Sequence, residues 1–200
     1  MKLFKNNQYG RSMVEMLGVL AIIGVISVGG IAGYSKAMYK QKMNKAVDIV
    51  SNILMGLNEL LLKNSDEDGE ISNQNAVKLG IVDKALCDAS YKCTLPNGGE
   101  IQLNYDAFGI TFRESNRINL CVDFLSHHWE TALPINYNGI SAVTYNGNQN
   151  FIYSTITDNV YNLEIKTSYT LADIKEACNN ACDNDYFCHV YFYKWKKHSD

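Results

Sequence analysis

Proline is scarce in this chain. The 200 residues contain only Pro96 and Pro134, so the first 95 positions have none. Because a proline inside a helix removes a backbone hydrogen bond and clashes with the preceding turn, its absence leaves that stretch able to form one long helix. A large excess of one charge is also missing, since 18 basic residues stand against 21 acidic ones and the formal net charge is −3. This balance does not indicate a nucleic-acid partner.

Catalytic patterns are also lacking. The sequence contains no Ser-His-Asp, Cys-His, paired-carboxylate or phosphate-loop arrangement, so a membrane-anchored enzyme is the least favoured function. His127 and His128 stand side by side without such partners and are predicted to be surface or helix-cap residues. The polar stretch 64–70 lacks the oxygen-ligand spacing of an EF-hand and is predicted to be a solvated loop. We therefore expect no enzymatic activity, no cofactor and no bound metal.

Cysteine is absent from the first 86 residues. The six cysteines are Cys87, Cys93, Cys121, Cys178, Cys182 and Cys188. An even number confined to the part of the chain predicted to be soluble indicates three disulfides and an oxidising compartment. Free thiols or a metal site are the alternatives. The candidate zinc ligands are Cys178, Cys182, Cys188 and His189, whose spacing matches no usual paired-cysteine site.

A long apolar run follows a polar N-terminus. Residues 1–10 contain two lysines and end in Gly10, and the eighteen residues from Met16 to Gly33 are apolar except for Ser27. In a helix they span about 27 Å, close to the roughly 30 Å core of a bilayer. A cleaved secretory signal and an ordinary membrane anchor both have such a run, but no small-residue cleavage motif follows this one. The run therefore favours a membrane helix.

Glu15 stands at the start of this run, five positions after Gly10. A carboxylate at or inside a membrane is costly unless it pairs with another group, and by default it marks function. Placement among lipid headgroups, without a role, is the plain alternative. With its glycine, its glutamate at the fifth following position and its apolar helix, the segment from Gly10 to Ser27 resembles the N-terminus of type IV pilins and type II secretion pseudopilins.

That resemblance implies that a membrane aspartyl peptidase, the prepilin peptidase, cuts between Gly10 and Arg11 and that the new amine is methylated. It also implies that Glu15 pairs with the N-terminal amine of a neighbouring subunit during assembly. The physics agrees, because two opposite charges in an apolar interior are tolerable only together. Arg11 departs from the family pattern, which usually has Phe, Met or Leu there, so methylation is less expected than the cut.

Basic residues occur on both sides of the apolar run, so a positive-inside count leaves its orientation open. The predicted disulfides instead place the C-terminal part on the oxidising side and the N-terminus in the cytoplasm. Together with this orientation, the resemblance implies a single-pass protein in the bacterial inner membrane before assembly and in an extracellular pilus afterwards.

Beyond the run, apolar residues recur at helical spacing from Ala46 to Leu61, which predicts one helix from near Ser12 to about Lys63. The further expected elements are a short helix over 72–86, a hairpin of strands at 101–105 and 110–112, a helix over 117–129, one or two strands within 140–165, a helix over 171–182 and a final strand within 186–195, inside the sheet. Ser168 and Thr170 are the N-cap candidates for the helix over 171–182.

This order of elements and cysteines resembles that of the type IVb pilins. It implies an α+β fold in which a long N-terminal helix, with a membrane half and an amphipathic half, packs on an antiparallel sheet. The resemblance also implies that Cys121 pairs with Cys178, which leaves Cys87–Cys93 and Cys182–Cys188 as local pairs. The expected segments are a leader over 1–10, a membrane and assembly helix over 11–34, its amphipathic continuation over 35–63 and a disulfide-bonded head over 64–200.

The function that the resemblance implies is a structural pilin, which polymerises through its N-terminal helix. Its expected partners are other pilin subunits, the prepilin peptidase, the inner-membrane assembly machinery and the membrane itself, with no nucleic acid indicated. The alternative is a minor pilin or a type II secretion pseudopilin that primes assembly or binds a partner.

Overall fold

The structure is a computed structural model that describes residues 12–63, 71–104, 107–113, 115–134, 137–143, 149–155, 166–182 and 187–193. Its described elements form an α+β protein with a long N-terminal helix and a five-stranded antiparallel sheet. The chain divides into two compact units, Met1–Gln41 and Lys42–Asp200.

Helix α1 runs over Ser12–Lys63 and has 52 residues, with the bounds that the apolar pattern predicts. Its two halves have opposite environments within their own units. The side chains from position 13 to position 37 are exposed, and the first buried one is Met43. The division between the two units therefore falls where the helix changes from an exposed apolar surface to an amphipathic one.

The second half of α1 contributes a stripe of buried residues to the head core: Met43, Ala46, Val50, Ile53, Leu54 and Leu57. Their spacing of three and four positions places them on one face of the helix. Gly56, beside this stripe, contacts Ile81, and a Cβ at Gly56 would lie 3.3 Å from the Ile81 Cγ2. This half of the helix is thus an integral part of the head.

The helix expected over 72–86 is wrong in its extent. Helix α2 covers only Asn73–Lys78, and a 3-10 turn follows at Lys84–Leu86. Gly80 has a φ of 74°, a backbone conformation that favours glycine and stops the helix. The N–H of Ile81 donates to the carbonyl of Ala76 at 2.9 Å and that of Gly80 to Val77 at 3.1 Å, the two bonds of a Schellman motif.

The sheet has the strand order β1-β2-β5-β3-β4, and all its pairs are antiparallel. The strands are β1 Glu100–Asn104, β2 Ala107–Phe112, β3 Gly139–Val143, β4 Gln149–Ser154 and β5 Cys188–Tyr193. The expected hairpin is confirmed as β1 and β2. Of the one or two strands expected within 140–165, the structure has two, β3 and β4. The last strand, β5, occupies the centre of the sheet, as its apolar and aromatic composition predicts.

The helix expected over 117–129 ends early. Helix α3 covers Arg117–Leu125, and a separate single turn, α4, covers Trp129–Ala132. The hydroxyl of Ser126 donates to the Val122 carbonyl at 2.6 Å, and the Trp129 indole N–H donates to the Phe124 carbonyl at 2.9 Å. Tertiary packing of the indole against the end of α3 therefore redirects the chain.

Aromatic rings connect α3 and α4 to the sheet. The ring centroid of Trp129 lies 5.0 Å from those of Phe124 and Phe192, and the Phe112 ring lies 6.0 Å from Phe124. These side chains are fully buried, and such ring pairs add about 0.5–1.5 kcal/mol each beyond their buried area. Helix α5, Leu171–Cys182, matches its predicted range and also packs on α3, β3, β4 and β5.

Candidate functional site

The first half of α1 presents an apolar surface within its own unit. Among its side chains, Met13 is 81% exposed, Val25 76% and Val28 71%. By length and composition this helix is able to cross a membrane, a property that a signal sequence near an N-terminus shares. So much continuous apolar area is unfavourable in water, and its length fits the apolar core of a bilayer.

Glu15 lies in the first turn of α1 and its side chain is exposed. It follows Met13 and Val14 and precedes Met16 and Leu17, all of them exposed apolar residues. No other ionisable side chain with a charge at neutral pH occurs until Lys36. A single carboxylate therefore stands at the amino end of an apolar surface, where the helix dipole favours a negative charge. Gly10 and Arg11, the predicted cleavage site, lie outside the described residues.

The six cysteines form three disulfides. Cys121–Cys178 joins α3 to α5 across 57 positions with a Cα–Cα distance of 6.0 Å. Cys182–Cys188 joins the end of α5 to the start of β5 at 4.7 Å, and Cys87–Cys93 links two residues that also form a β-bridge. These pairs are the ones that the resemblance implies.

Two of the disulfides form one buried group, here named the sulfur cluster and made of Cys121, Cys178, Cys182 and Cys188. The Sγ atoms of Cys121, Cys182 and Cys188 all lie within 4.8 Å of one another. All four residues have no exposed surface. The sequence contains one signal for this grouping, because Cys178 and Cys182 are one turn apart on the predicted helix and point to the same side. That signal does not identify the neighbouring element.

The sulfur cluster contains three of the four candidate zinc ligands. Cys178, Cys182 and Cys188 are in disulfides, and a metal ligand requires a free thiolate. The Nδ1 atom of His189 lies 2.8 Å from the Thr111 hydroxyl oxygen, so this ring is engaged with the neighbouring strand. The four residues therefore do not form a zinc-ligand set in this oxidised state.

A reciprocal cap begins α5, the helix that carries two of these cysteines. Of the two candidates, Thr170 acts as the cap: its hydroxyl accepts from the Asp173 N–H at 3.3 Å, while its own N–H donates to the Asp173 carboxylate at 2.7 Å. The Lys166 ammonium lies 2.9 Å from the same carboxylate. The hydrogen bonds from the hydroxyl and N–H of Thr170, followed by that from Lys166, hold the pKa of the Asp173 carboxyl well below its usual value.

The two histidines lie in the turn between α3 and α4. His128 is exposed at the N-cap position of α4, as expected, although its side chain makes no capping bond. His127 is partly buried rather than on the surface, and its carbonyl accepts a hydrogen bond from the Tyr169 hydroxyl at 2.9 Å. Burial lowers the pKa of the His127 imidazole, and the charge of Asp48 on α1 opposes that shift.

Comparison of the chain with protein-family models, with curated proteins and with solved structures finds no significant match.

Proposed function

We propose that this chain is the structural subunit of a type IV pilus, cut by a prepilin peptidase after Gly10 and polymerised through the first half of α1. One observation carries the proposal: an exposed apolar helix with one carboxylate in its first turn continues directly into the core of a disulfide-bonded head. An ordinary membrane anchor gains nothing from that carboxylate, whose charge is costly in lipid unless it is paired or reaches the headgroups.

The two halves of α1 have different roles in the proposed filament. Before assembly the exposed half lies in the inner membrane with its apolar side chains in lipid. In the filament the same side chains pack against the helices of other copies, so the subunit exchanges one apolar environment for another. The second half, with its buried stripe, anchors the head to this helix. The α+β head then forms the outer surface of the fibre.

Glu15 sets the register between neighbouring subunits in the proposed filament. In an apolar filament core its charge is stabilised by the N-terminal amine that cleavage creates at Arg11 of a neighbouring subunit. Removing one partner of a buried ion pair costs about 3–5 kcal/mol, because the other charge is left uncompensated. A subunit in the wrong register loses the pair and is disfavoured by the same amount.

The test is the substitution Glu15→Gln, which keeps the size of the side chain and removes its charge. We expect the variant to be produced, cut and inserted in the membrane, while the yield of sheared filaments falls by about two orders of magnitude, the factor that 3 kcal/mol represents. Filament yield is measured by shearing cells and quantifying the subunit in the pelleted fibres.

Glu59→Gln is the matched control, because Glu59 is an exposed carboxylate in the second half of the same helix. It is expected to leave filament yield unchanged. Normal yield from Glu15→Gln contradicts the proposed role of Glu15, and the absence of the unaltered chain from sheared fibres contradicts the pilin assignment. A chain found only as a few copies per fibre supports the alternative, a minor pilin or a type II secretion pseudopilin.

A further inference from the structure

In the sulfur cluster, one sulfur of the Cys121–Cys178 disulfide lies close to both sulfurs of the Cys182–Cys188 disulfide. The Cys121 Sγ is bonded to Cys178, and it also lies within 4.8 Å of the sulfurs of both Cys182 and Cys188. The three elements that carry these residues, α3, α5 and β5, pack directly on one another. A thiolate at Cys121 in this arrangement would lie beside the Cys182–Cys188 disulfide.

The two disulfides differ greatly in how readily an unfolded chain forms them. Cys182 and Cys188 are 6 positions apart, whereas Cys121 and Cys178 are 57 apart. Because the probability of closing a flexible loop falls as the 3/2 power of its length, the short loop closes roughly 30-fold more often. The local pair is thus expected to form early, before α3 and α5 are held together.

We propose that the Cys182–Cys188 disulfide forms first and passes its oxidising equivalents to Cys121 and Cys178. In the first step the Cys121 thiolate attacks the sulfur of Cys182 or Cys188, so that a mixed disulfide forms and the other cysteine of the local pair leaves as a thiolate. In the second step the Cys178 thiolate attacks the Cys121 Sγ, and the second cysteine of the local pair leaves.

The exchange leaves the number of disulfides in the chain unchanged. One disulfide is broken and one is formed, so two electrons move from the Cys121 and Cys178 thiols to the local pair, which ends as two thiols. A small-molecule disulfide such as oxidised glutathione, or a dithiol oxidase, then oxidises the local pair again and is itself reduced. The local pair therefore acts as an internal oxidant for the long-range one.

Burial ends the exchange. All four cysteines have no exposed surface in the finished head, so external thiols have no access to the sulfurs. An apolar environment also disfavours the thiolate that exchange needs. The exchange takes place while α5 and β5 are docking on α3, and the completed core then protects both disulfides.

The experiment follows disulfide formation in the full-length chain in detergent micelles. The reduced, unfolded protein is refolded in reduced and oxidised glutathione, samples are quenched with acid and alkylated, and peptides are mapped without reduction. In the unaltered chain we expect Cys182–Cys188 to appear before Cys121–Cys178, together with a transient species that links Cys121 to Cys182 or Cys188. In the variant C182A/C188A the Cys121–Cys178 bond should form measurably more slowly, because the Cys121 thiolate has no internal disulfide to attack.

The control is C87A/C93A, which removes the other disulfide of the same sequence separation, 6 positions. That variant should form Cys121–Cys178 at the unaltered rate. The proposal is overturned if Cys121–Cys178 appears first in the unaltered chain, if no species links Cys121 to the local pair, or if C182A/C188A shows no delay. The first two outcomes come from the unaltered chain, so they decide the matter even where C182A/C188A does not fold. They are also independent of whether the chain assembles into filaments.

Discussion

Thr170 and Asp173 show how a few polar atoms determine where a cysteine-bearing helix begins. Each residue accepts a hydrogen bond from the backbone N–H of the other, and Lys166 adds an ion pair at 2.9 Å. These bonds satisfy donors that a helix N-terminus leaves unpaired. The sequence identifies Thr170 as a candidate, and the acidic residue three positions on, Asp173, favours it over Ser168, which has Leu171 at that spacing. Only the ion pair with Lys166 depends on the fold.

We predict that Asp173→Asn lowers the thermal unfolding midpoint of the head at pH 7. The folded pKa of this carboxyl lies below its usual value of 3.8, so its contribution to stability is fully present above about pH 4. It is lost as the pH falls through the folded pKa. The difference between the unaltered chain and the variant should therefore be constant from pH 5 to pH 8 and shrink below about pH 4.

Circular dichroism across this pH range measures the effect. Glu176→Gln serves as the control, since Glu176 is an exposed carboxylate of the same helix and is expected to change the midpoint little. A midpoint difference for Asp173→Asn that persists unchanged to pH 2 would show that the carboxylate charge is not the cause.

Among the helices, those whose bounds depend only on residues near in the sequence are predicted well. The bounds of α1 follow from the absence of proline and from the apolar spacing, and α5 matches its predicted range. The predicted helices over 72–86 and 117–129 are both too long. In the first case Gly80 at a φ of 74° stops the helix, and in the second the indole of Trp129 binds the end of α3. The apolar spacing continues across both breaks and hides them.

The second half of α1 leads to a prediction about a fragment. A chain from Lys42 to Asp200 retains every residue of α1 that the structure describes as buried, and we expect it to fold and to remain soluble without detergent. Within this fragment Leu54→Ala should reduce the free energy of unfolding by about 2–5 kcal/mol, because a fully buried side chain leaves a cavity.

Met55→Ala is the matched control, since Met55 is the next residue along the helix and is 50% exposed. It should cost less than about 1 kcal/mol, as surface substitutions generally do. Urea unfolding measures both values. Equal losses for the two variants would contradict the placement of the buried stripe.

At the scale of the whole molecule, the fold class and the central position of β5 are predictable from composition and element order. The sulfur cluster is not. It requires α3, α5 and β5 to meet at one point. The bonded cysteines of α3 and α5 are 57 positions apart in the sequence. Likewise, the sequence does not indicate that the indole of Trp129 packs between Phe124 and Phe192. Such contacts arise from tertiary packing, and no local pattern encodes them.

The proposed pilin role requires a cut after Gly10 that creates an N-terminus able to assemble. Mass spectrometry of the intact chain, purified from the membrane fraction and from sheared fibres, tests it most directly. We expect a mature chain that begins at Arg11, with Glu15 as its fifth residue and with the mass of three disulfides. A chain that retains Met1, or one that is cut after residue 33, contradicts it.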